Sequence, residues 1–400
     1  MAKKEAFRYN TGATKVPWAA VGENYNAEDL YEVVKFMMQG EGPEYEAALE
    51  AVKKEIYKLD EHAYPPANLS LGPKVREAEA MVNDYLGTDS ALFVANCTAG
   101  FITAMKYANI GPGDDVIVPA ITFVATMAYP LAIGCKLVFA DVDPRTINMD
   151  PKDVAKKITP KTKMIVPVHL GGYPVDMEPL MELAKKHGIY VMEDAAHGMG
   201  GMYKGQRVGA IGDFGGFSLH EVKNITSFGE GGLLLTKHAK AGEQLGGARF
   251  LGLDFTRKIK DWLYDISPLE TLNGDIAVAG NHSACELNAV GLLLQMQRLD
   301  AIIAERRKAA EYMNSVLSQE PGILVEKTDT EDTYGTHHLY LLRIDPEVCN
   351  GDIQELSERL KAKGLTNITH FGPMYRFRIM KELGYDEEAI AATIPGMSRK

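Results

Sequence analysis

The stretch KMIVPVHLGGYPVDMEPLMELAKKHGIYVMED, residues 163–194, holds two short apolar runs with a helical stretch between them. KMIVPVHL (163–170) and IYVMED (189–194) read as strands, and MEPLMELAKKHG (177–188) reads as a helix. Neither strand shows the in–out alternation of a half-exposed sheet. Strands apolar on both faces, alternating with helices, predict a mostly parallel sheet covered by helices.

The same texture extends outward. ALFVAN (91–96), DDVIVPA (114–120), KLVFADVD (136–143), FGGFSL (214–219) and GGLLLT (231–236) are further strand candidates. AGFITAMKYANIG, FVATMAYPLAIG and PKDVAKKI separate the early ones as helices. Upstream, AEDLYEVVKFMMQ (Ala27–Gln39) and YEAALEAVKKEIYKL (Tyr45–Leu59) have helical spacing, and AYPPANLSLGPK (Ala63–Lys74) breaks it with three prolines. Downstream, Cys285–Leu317 predicts one long helix, followed by a strand at HHLYLLRID and a helix at DIQELSERLKAKG. The expected organisation is an N-terminal helical segment (1–70), a large α/β domain (71–300) and a smaller α+β domain (301–400).

With 400 residues, 46% hydrophobic and 24% charged, the composition suits a globular protein with a large core. A net charge of −11 argues against non-specific binding to nucleic acid, which needs a basic face. No apolar run approaches the roughly 18 residues of a membrane span. MAKKEAFRYN lacks the apolar segment of a secretory signal, so the expected location is cytoplasmic. The cysteines at 97, 135, 285 and 349 have no metal-type spacing, and no metal is expected.

Ligands of open α/β sheets sit at the carboxyl ends of the strands. After the first strand come Asn96, Cys97, Thr98, Ala99 and Gly100, either a phosphate cradle at a helix start or an ordinary N-cap. Phe123 follows the next strand and either stacks on a planar ring or packs in the core. Glu193 and Asp194 end a buried strand and require partners. A cationic ring nitrogen, a helix N-terminus or an ion pair would each serve. His197 by itself reads as a hydrogen-bonded buried histidine. In FSLHEVKNITSFGEGG (217–232), Ser218 can bind phosphate and Lys223 can form a Schiff base with a carbonyl compound. Phosphate cradle, aromatic, strand-end aspartate, then serine and lysine is the set that pyridoxal phosphate requires.

With those residues in place, the sequence resembles the DegT/DnrJ/EryC1/StrS family, sugar aminotransferases of the fold-type I pyridoxal-phosphate class. The likeness runs from about Gly72 to Asp300. It is carried by GPKVREAEAMVNDYLG, GPGDDVIVPAITFVATMAYPLAIGCKLVFADVD, the whole of 163–236 and ELNAVGLLLQMQRLD, and more faintly by THFGPMYRF. The resemblance implies that Lys223 carries the cofactor, Asp194 holds its ring nitrogen and Phe123 stacks on the ring. It also implies that Thr98, the Ala99 backbone and Ser218 bind the phosphate. His197 stands where the family usually has glutamine, near the phenolic oxygen. Asn281 matches an asparagine that reaches the neighbouring subunit's cofactor, which implies a homodimer with shared active sites. Departures are Asn96 and Cys97 in place of serine and glycine, Ser283 where arginine is common, the extra helix near Tyr45–Leu59, and an end at Lys400 where the family continues with an apolar stretch, so that either the chain is cut short or its small domain is divergent.

The function so implied is an aminotransferase. It takes nitrogen from glutamate or glutamine, carries it as pyridoxamine 5'-phosphate, and gives it to a keto-sugar, nucleotide-linked by the family's habit. A keto-cyclitol acceptor is an alternative. A pyridoxal-phosphate sugar dehydratase is another, against which Lys223 speaks, because histidine typically replaces that lysine there. A non-enzymatic regulatory protein on the same fold would fit a missing lysine or aspartate, and both are present. No GxGxxG follows a strand, which weighs against a dinucleotide-binding protein.

Overall fold

The computed structural model describes residues 26–63, 69–238, 241–253, 267–325, 329–345, 347–349 and 351–394, with backbone alone at 241–243. The N-terminal decapeptide read above for its lack of a signal lies outside the described residues, as do residues 64–68 of the proline-rich break at 63–74. The chain divides into two compact units, residues 1–72 and 73–400.

The first unit contains α1 (Ala27–Met37) and α2 (Pro43–Asp60). Asn26 starts α1, its Oδ1 accepting from the amides of Glu28 (2.9 Å) and Asp29 (3.1 Å). Pro43 opens α2, where its missing N–H costs nothing. The two helices are tied by Glu28, whose carboxylate accepts from Lys53 Nζ at 3.1 Å and from the Tyr57 hydroxyl.

In the second unit α3 (Pro73–Leu86) leads into β1 (Leu92–Val94), α4 (Cys97–Tyr107), β2 (Asp115–Pro119), α5 (Ala125–Ala132), β3 (Lys136–Ala140), α6 (Pro151–Lys157), β4 (Thr162–Ile165), α7 (Met177–His187) and β5 (Tyr190–Asp194). A small hairpin of β6 (Met202–Tyr203) and β7 (Gln206–Arg207) precedes β8 (Phe214–Ser218) and β9 (Gly232–Thr236). All seven runs expected as strands in this region join one sheet, ordered β1-β9-β8-β5-β4-β2-β3. The pairs from β3 to β8 are parallel, whereas β9 is antiparallel to both β8 and β1. Six strands therefore point the same way and β9 alone is reversed. Strand-to-strand helices require right-handed crossovers, and these deliver the loops that follow β1, β2, β4, β5 and β8 to one edge of the sheet.

Two apolar clusters cover the two faces. One gathers Val191, Phe217 and Leu235 with α3, α7 and the helix after residue 285. The other gathers Met192, Phe214 and Leu234 with α4 and α5. Neighbouring strand residues belong to opposite faces, as the period of 2 demands. That alternation separates the two acids that end β5.

After α8 (Ala241–Ala248), β10 (Leu269–Glu270) and β11 (Ile276–Ala277) form a short hairpin. The helix expected over Cys285–Leu317 is two helices, α9 (Glu286–Met296) and α10 (Leu299–Leu317). Arg298, at φ −111° and ψ −3°, turns the chain between them. The turn lets α9 bury Ala289, Leu292, Leu293 and Met296 while α10 begins a new buried stripe at Leu299 and Ile303. The strand expected at HHLYLLRID is limited to β14 (Arg343–Ile344), paired with β12 (Ile323–Leu324). The start of this stretch hydrogen-bonds elsewhere: Thr336 N donates to Gly172 O (2.9 Å) and Leu339 N to Gly171 O (3.1 Å). β13 (Thr333–Tyr334) pairs with β6, and α11 (Ile353–Ala362) follows β14.

Candidate active site

The carboxyl edge of the sheet brings most of the singled-out residues together. Asp194 closes β5 in register with Gly216, two residues before Ser218, the end of β8. Ser218 and Val94 are both register partners of Gly232, so the ends of β8 and β1 flank one glycine. Adjacent strands lie about 4.8 Å apart, which puts Ser218 roughly 10 Å from Val94. A Cβ on Gly232 would lie 2.3 Å from Asn96 C and 2.3 Å from Cys97 N. β9 therefore begins directly against the start of α4, a position only glycine can fill.

Asn96 caps α4 with its Oδ1, accepting from Ala99 N at 2.9 Å. The Ala99 amide is thus committed to the cap. Among the described residues the amides of Cys97 and Thr98 have no acceptor, and the Thr98 side chain is half-buried beside them. A helix start with free N–H groups and a neighbouring hydroxyl attracts an anion. Ser218 Oγ, half-buried across Gly232, has among the described residues only a long 3.4 Å contact from His220 N.

Asp194 is 5% exposed. Its Oδ2 accepts from Thr126 Oγ1 (2.8 Å) and its Oδ1 from Ala196 N (3.2 Å), both neutral donors. Burial raises its pKa above the ordinary carboxylate range, against the opposing pull of those hydrogen bonds and of the charges on Lys223 and His169. Glu193, on the other face and fully buried, is saturated. It accepts from His169 Nε2 (3.0 Å), Gly209 N (2.8 Å), Ile211 N (2.6 Å) and Gly212 N (2.6 Å).

Lys223 sits in the β8–β9 loop, which closes on itself through Leu219 N to Gly231 O (2.9 Å), Glu221 N to Gly229 O (2.9 Å) and Lys223 N to His220 O (2.9 Å). Among the described residues its ammonium has no hydrogen-bond or ion-pair partner. Burial lowers its pKa below the ordinary lysine value, with the Asp194 charge working the other way. The amine is therefore more readily neutral, and so nucleophilic, than an exposed one.

His197 is buried, and its Nδ1 accepts from Gly171 N at 3.2 Å, which places its ring proton on Nε2. Burial and the nearby Lys223 charge keep it neutral. Its ring lies 4.4 Å from that of His338 and 6.3 Å, stacked, from Phe371. Phe123 is 52% exposed and 6.0 Å from Phe371, so it lines an open mouth and is not core. Phe371 is held there because Met374 N donates to Ala120 O (2.9 Å) at the end of β2.

Four further residues meet at this place. His338, whose pKa burial pushes down to about 3, has Nδ1 3.0 Å from Asn224 Oδ1, and among the described residues the Asn224 Nδ2 is buried without a partner. Thr126 and Tyr129 flank Asp194 from α5, and the Tyr129 hydroxyl is likewise buried with no partner among the described residues. Asn224 was visible next to the lysine and Thr126 three residues beyond Phe123. His338 carried no local signal.

Asn281 does not join the group. It is exposed, bridged to Phe250, and its Oδ1 accepts from Ser283 Oγ at 2.7 Å. Its segment does run past the phosphate-type helix start, with Ala95 N donating to His282 O at 3.0 Å and Ser283 bridging Val94.

The arrangement offers a reactive amine, a buried carboxylate short of a cation, an anion site at a helix start and an aromatic mouth. Orphaned polar atoms on Asn224 and Tyr129 add unmet hydrogen bonds around the same space. This donor set fits a ligand with an aldehyde, a phosphate and a protonated ring nitrogen.

Comparison with known proteins agrees. Residues 51–395 match the DegT/DnrJ/EryC1/StrS aminotransferase family. The chain is 33% identical over 346 residues to the spore coat polysaccharide biosynthesis protein SpsC of Bacillus subtilis (strain 168), covering 84% of this chain and 85% of SpsC. It is similar to DesV of S. venezuelae, solved in complex with a ketimine intermediate, with TM-score 0.72 and 29% identity over 94% of this chain and 90% of DesV. It is also similar to DesI, solved in the presence of its TDP-sugar product, with TM-score 0.71 and 29% identity over 83% and 78% of the two chains.

Proposed function

The chain belongs to the DegT/DnrJ/EryC1/StrS aminotransferase family, and from that premise we propose that it moves an amino group from glutamate or glutamine to a nucleotide-linked keto-sugar, with Lys223 and Asp194 as catalytic residues. As a member it is an aminotransferase that uses pyridoxal 5'-phosphate and, between its two half-reactions, pyridoxamine 5'-phosphate. When bound, this cofactor supplies the electron sink that allows a C–N bond to be exchanged.

The residues divide the remaining work. Lys223 Nζ would hold the cofactor at its aldehyde carbon and, when free of it, would move the proton at the substrate carbon that bears nitrogen. Asp194 accepts a hydrogen bond from the ring nitrogen and keeps that nitrogen protonated. The amides of Cys97 and Thr98, the Thr98 hydroxyl and Ser218 bind the phosphate. Phe123 stacks on the ring. His197 donates from Nε2 to the phenolic oxygen, the direction set by its Nδ1 contact with Gly171. Asn281 reaches the phosphate of a partner subunit in a homodimer, which agrees with its exposure and with its place beside the start of α4. A cytoplasmic location is part of the same proposal. Among the described residues no helix is long and apolar enough to cross a membrane.

The observation that carries this reading is the pairing of an unpartnered, half-buried lysine with a buried aspartate that lacks a cation. The TDP-sugar in the DesI structure is what supports a nucleotide-linked acceptor. The test loads the protein with pyridoxamine 5'-phosphate and offers keto-sugars with and without a nucleotide. Return of the aldehyde chromophore with nucleotide-linked keto-sugars supports the proposal. Return only with free keto-cyclitols overturns the acceptor class.

A further inference from the structure

Thr126, on α5, and Thr122, in the bend just before that helix, form a hydroxyl pair that ends on Asp194. Thr126 is fully buried and Thr122 nearly so. Thr126 Oγ1 lies 2.8 Å from Asp194 Oδ2, and Thr122 Oγ1 lies 3.3 Å from Thr126 Oγ1. An ionised carboxylate can only accept, so the Thr126 proton is committed to Asp194. The Thr126 oxygen then becomes the acceptor for Thr122. The chain has one direction, Thr122 to Thr126 to Asp194, while Asp194 is ionised. A proton on Asp194 Oδ2 would reverse it.

We propose that Thr126, supported by Thr122, is a positioning residue of the aminotransferase site that holds Asp194 as a carboxylate aimed at the cofactor's ring nitrogen. Hydrogen bonds in series polarise one another, so the second threonine strengthens the first. The geometry allows little else to do this. Among the described residues the one other hydrogen bond to the carboxylate is the longer one from Ala196 N. The ionisable groups that face Asp194 are Lys223 from the β8–β9 loop, His169 after β4, Cys97 at the start of α4 and Tyr129 on α5. The Cys97 and Tyr129 groups are pushed far up by burial and stay neutral. Without Thr126 the carboxylate keeps a single backbone donor in a dry place, where it prefers a proton. A protonated Asp194 no longer offers a carboxylate to a cationic ring.

The inference rests on the proposed role of Asp194 but is testable without the cofactor. Thr126→Val removes the hydroxyl and keeps the shape, and Thr126→Ser restores the hydroxyl. The sign follows from linkage: Asp194 has its folded pKa raised, so the folded state is most favoured below the unfolded pKa and loses stability as pH rises through the folded value. Thr126→Val raises the folded pKa further and extends that loss. Melting of the cofactor-free protein from pH 4 to 9 should show a gap between wild type and Thr126→Val that widens with pH, and Thr126→Ser should close it. Cofactor affinity should fall roughly ten- to hundredfold in Thr126→Val, the range for a lost hydrogen bond to a charged group. A gap of constant size at every pH would mean a packing defect alone and overturn the proposal, as would a serine variant that fails to restore. If Thr126→Val does not fold, Thr122→Val decides: a smaller gap that widens with pH supports the chain, and a flat or absent one overturns it. Failure of the parent reading would look different, because the wild-type protein would then not take up cofactor at Lys223.

Discussion

Replacing Asp194 by Asn should stabilise the cofactor-free protein and nearly abolish the enzyme. Asp194 is buried, and among the described residues its carboxylate accepts only from Thr126 and Ala196. Burial raises its pKa over the combined pull of these bonds, Lys223 and His169. A carboxyl raised in the folded state costs nothing below about pH 4, its unfolded pKa. The cost grows as pH rises to the folded pKa, then stays constant. Each unit by which burial raises the pKa is worth about 1.4 kcal/mol. Asn carries no charge, can donate to Thr126 Oγ1 and can still accept from Ala196 N, so it escapes this cost. Melting temperatures of the two apoproteins, scanned at a fixed rate, should coincide near pH 4 and diverge in favour of Asp194→Asn as pH rises. With cofactor bound the order inverts. Losing one partner of a buried, hydrogen-bonded charge pair costs about 2–5 kcal/mol. That corresponds to a fall in kcat/KM of about 30- to 5000-fold at 1.36 kcal/mol per tenfold. An apoprotein variant less stable by the same amount at every pH, or a kcat/KM within about threefold of wild type by that conversion, would refute the assignment. Glu193 could not replace it, being saturated on the far face.

Borohydride reduction followed by peptide mapping should place the pyridoxyl group on Lys223. Recovery on another lysine would remove the central residue from the mechanism. Lys223→Ala and Asn281→Ala subunits, each impaired alone, should regain about half of wild-type activity per mixed dimer when exchanged, because one site then carries both defects and the other neither. Absence of recovery despite demonstrated exchange, or a fully active monomer, would refute the shared site.

The sheet was legible because each strand is a short apolar run and buried strands need no alternation to be recognised. Its reversed member was not: GGLLLT looks the same whichever way it runs, and only the loop from Leu219 to Gly231, closing on itself, decides that β9 turns back. The break at Arg298 was hidden because no glycine or proline marks it. It is set by which face each helix buries. In the site, Lys223, Asp194 and Ser218 follow strands and could be placed by strand-end logic. Phe371 and His338 come from segments far along the chain, docked by backbone contacts to Ala120 and Gly171 that leave no local pattern. Asn281 was legible as a residue but not as a contact, because among the described residues its side chain meets only Ser283.

The two acids that end β5 show how the fold separates stability from chemistry. They are adjacent in sequence, buried and identical in charge. A carboxylate has about four acceptor sites. Glu193 fills them with four donors and so repays its desolvation inside the structure. Asp194 receives two, both neutral, and faces a lysine that makes no bond to it. Filling its remaining sites with protein donors would stabilise the apoprotein and lower its pKa, but it would also occupy the positions a ring nitrogen must approach. A buried carboxylate left short of partners is unfavourable until a cation arrives, and part of the binding free energy of that cation is the relief of the shortfall. The strand's period of 2 is what makes the difference possible, since it turns Glu193 to the face covered by α3, α7 and α9 and Asp194 to the face covered by α4 and α5.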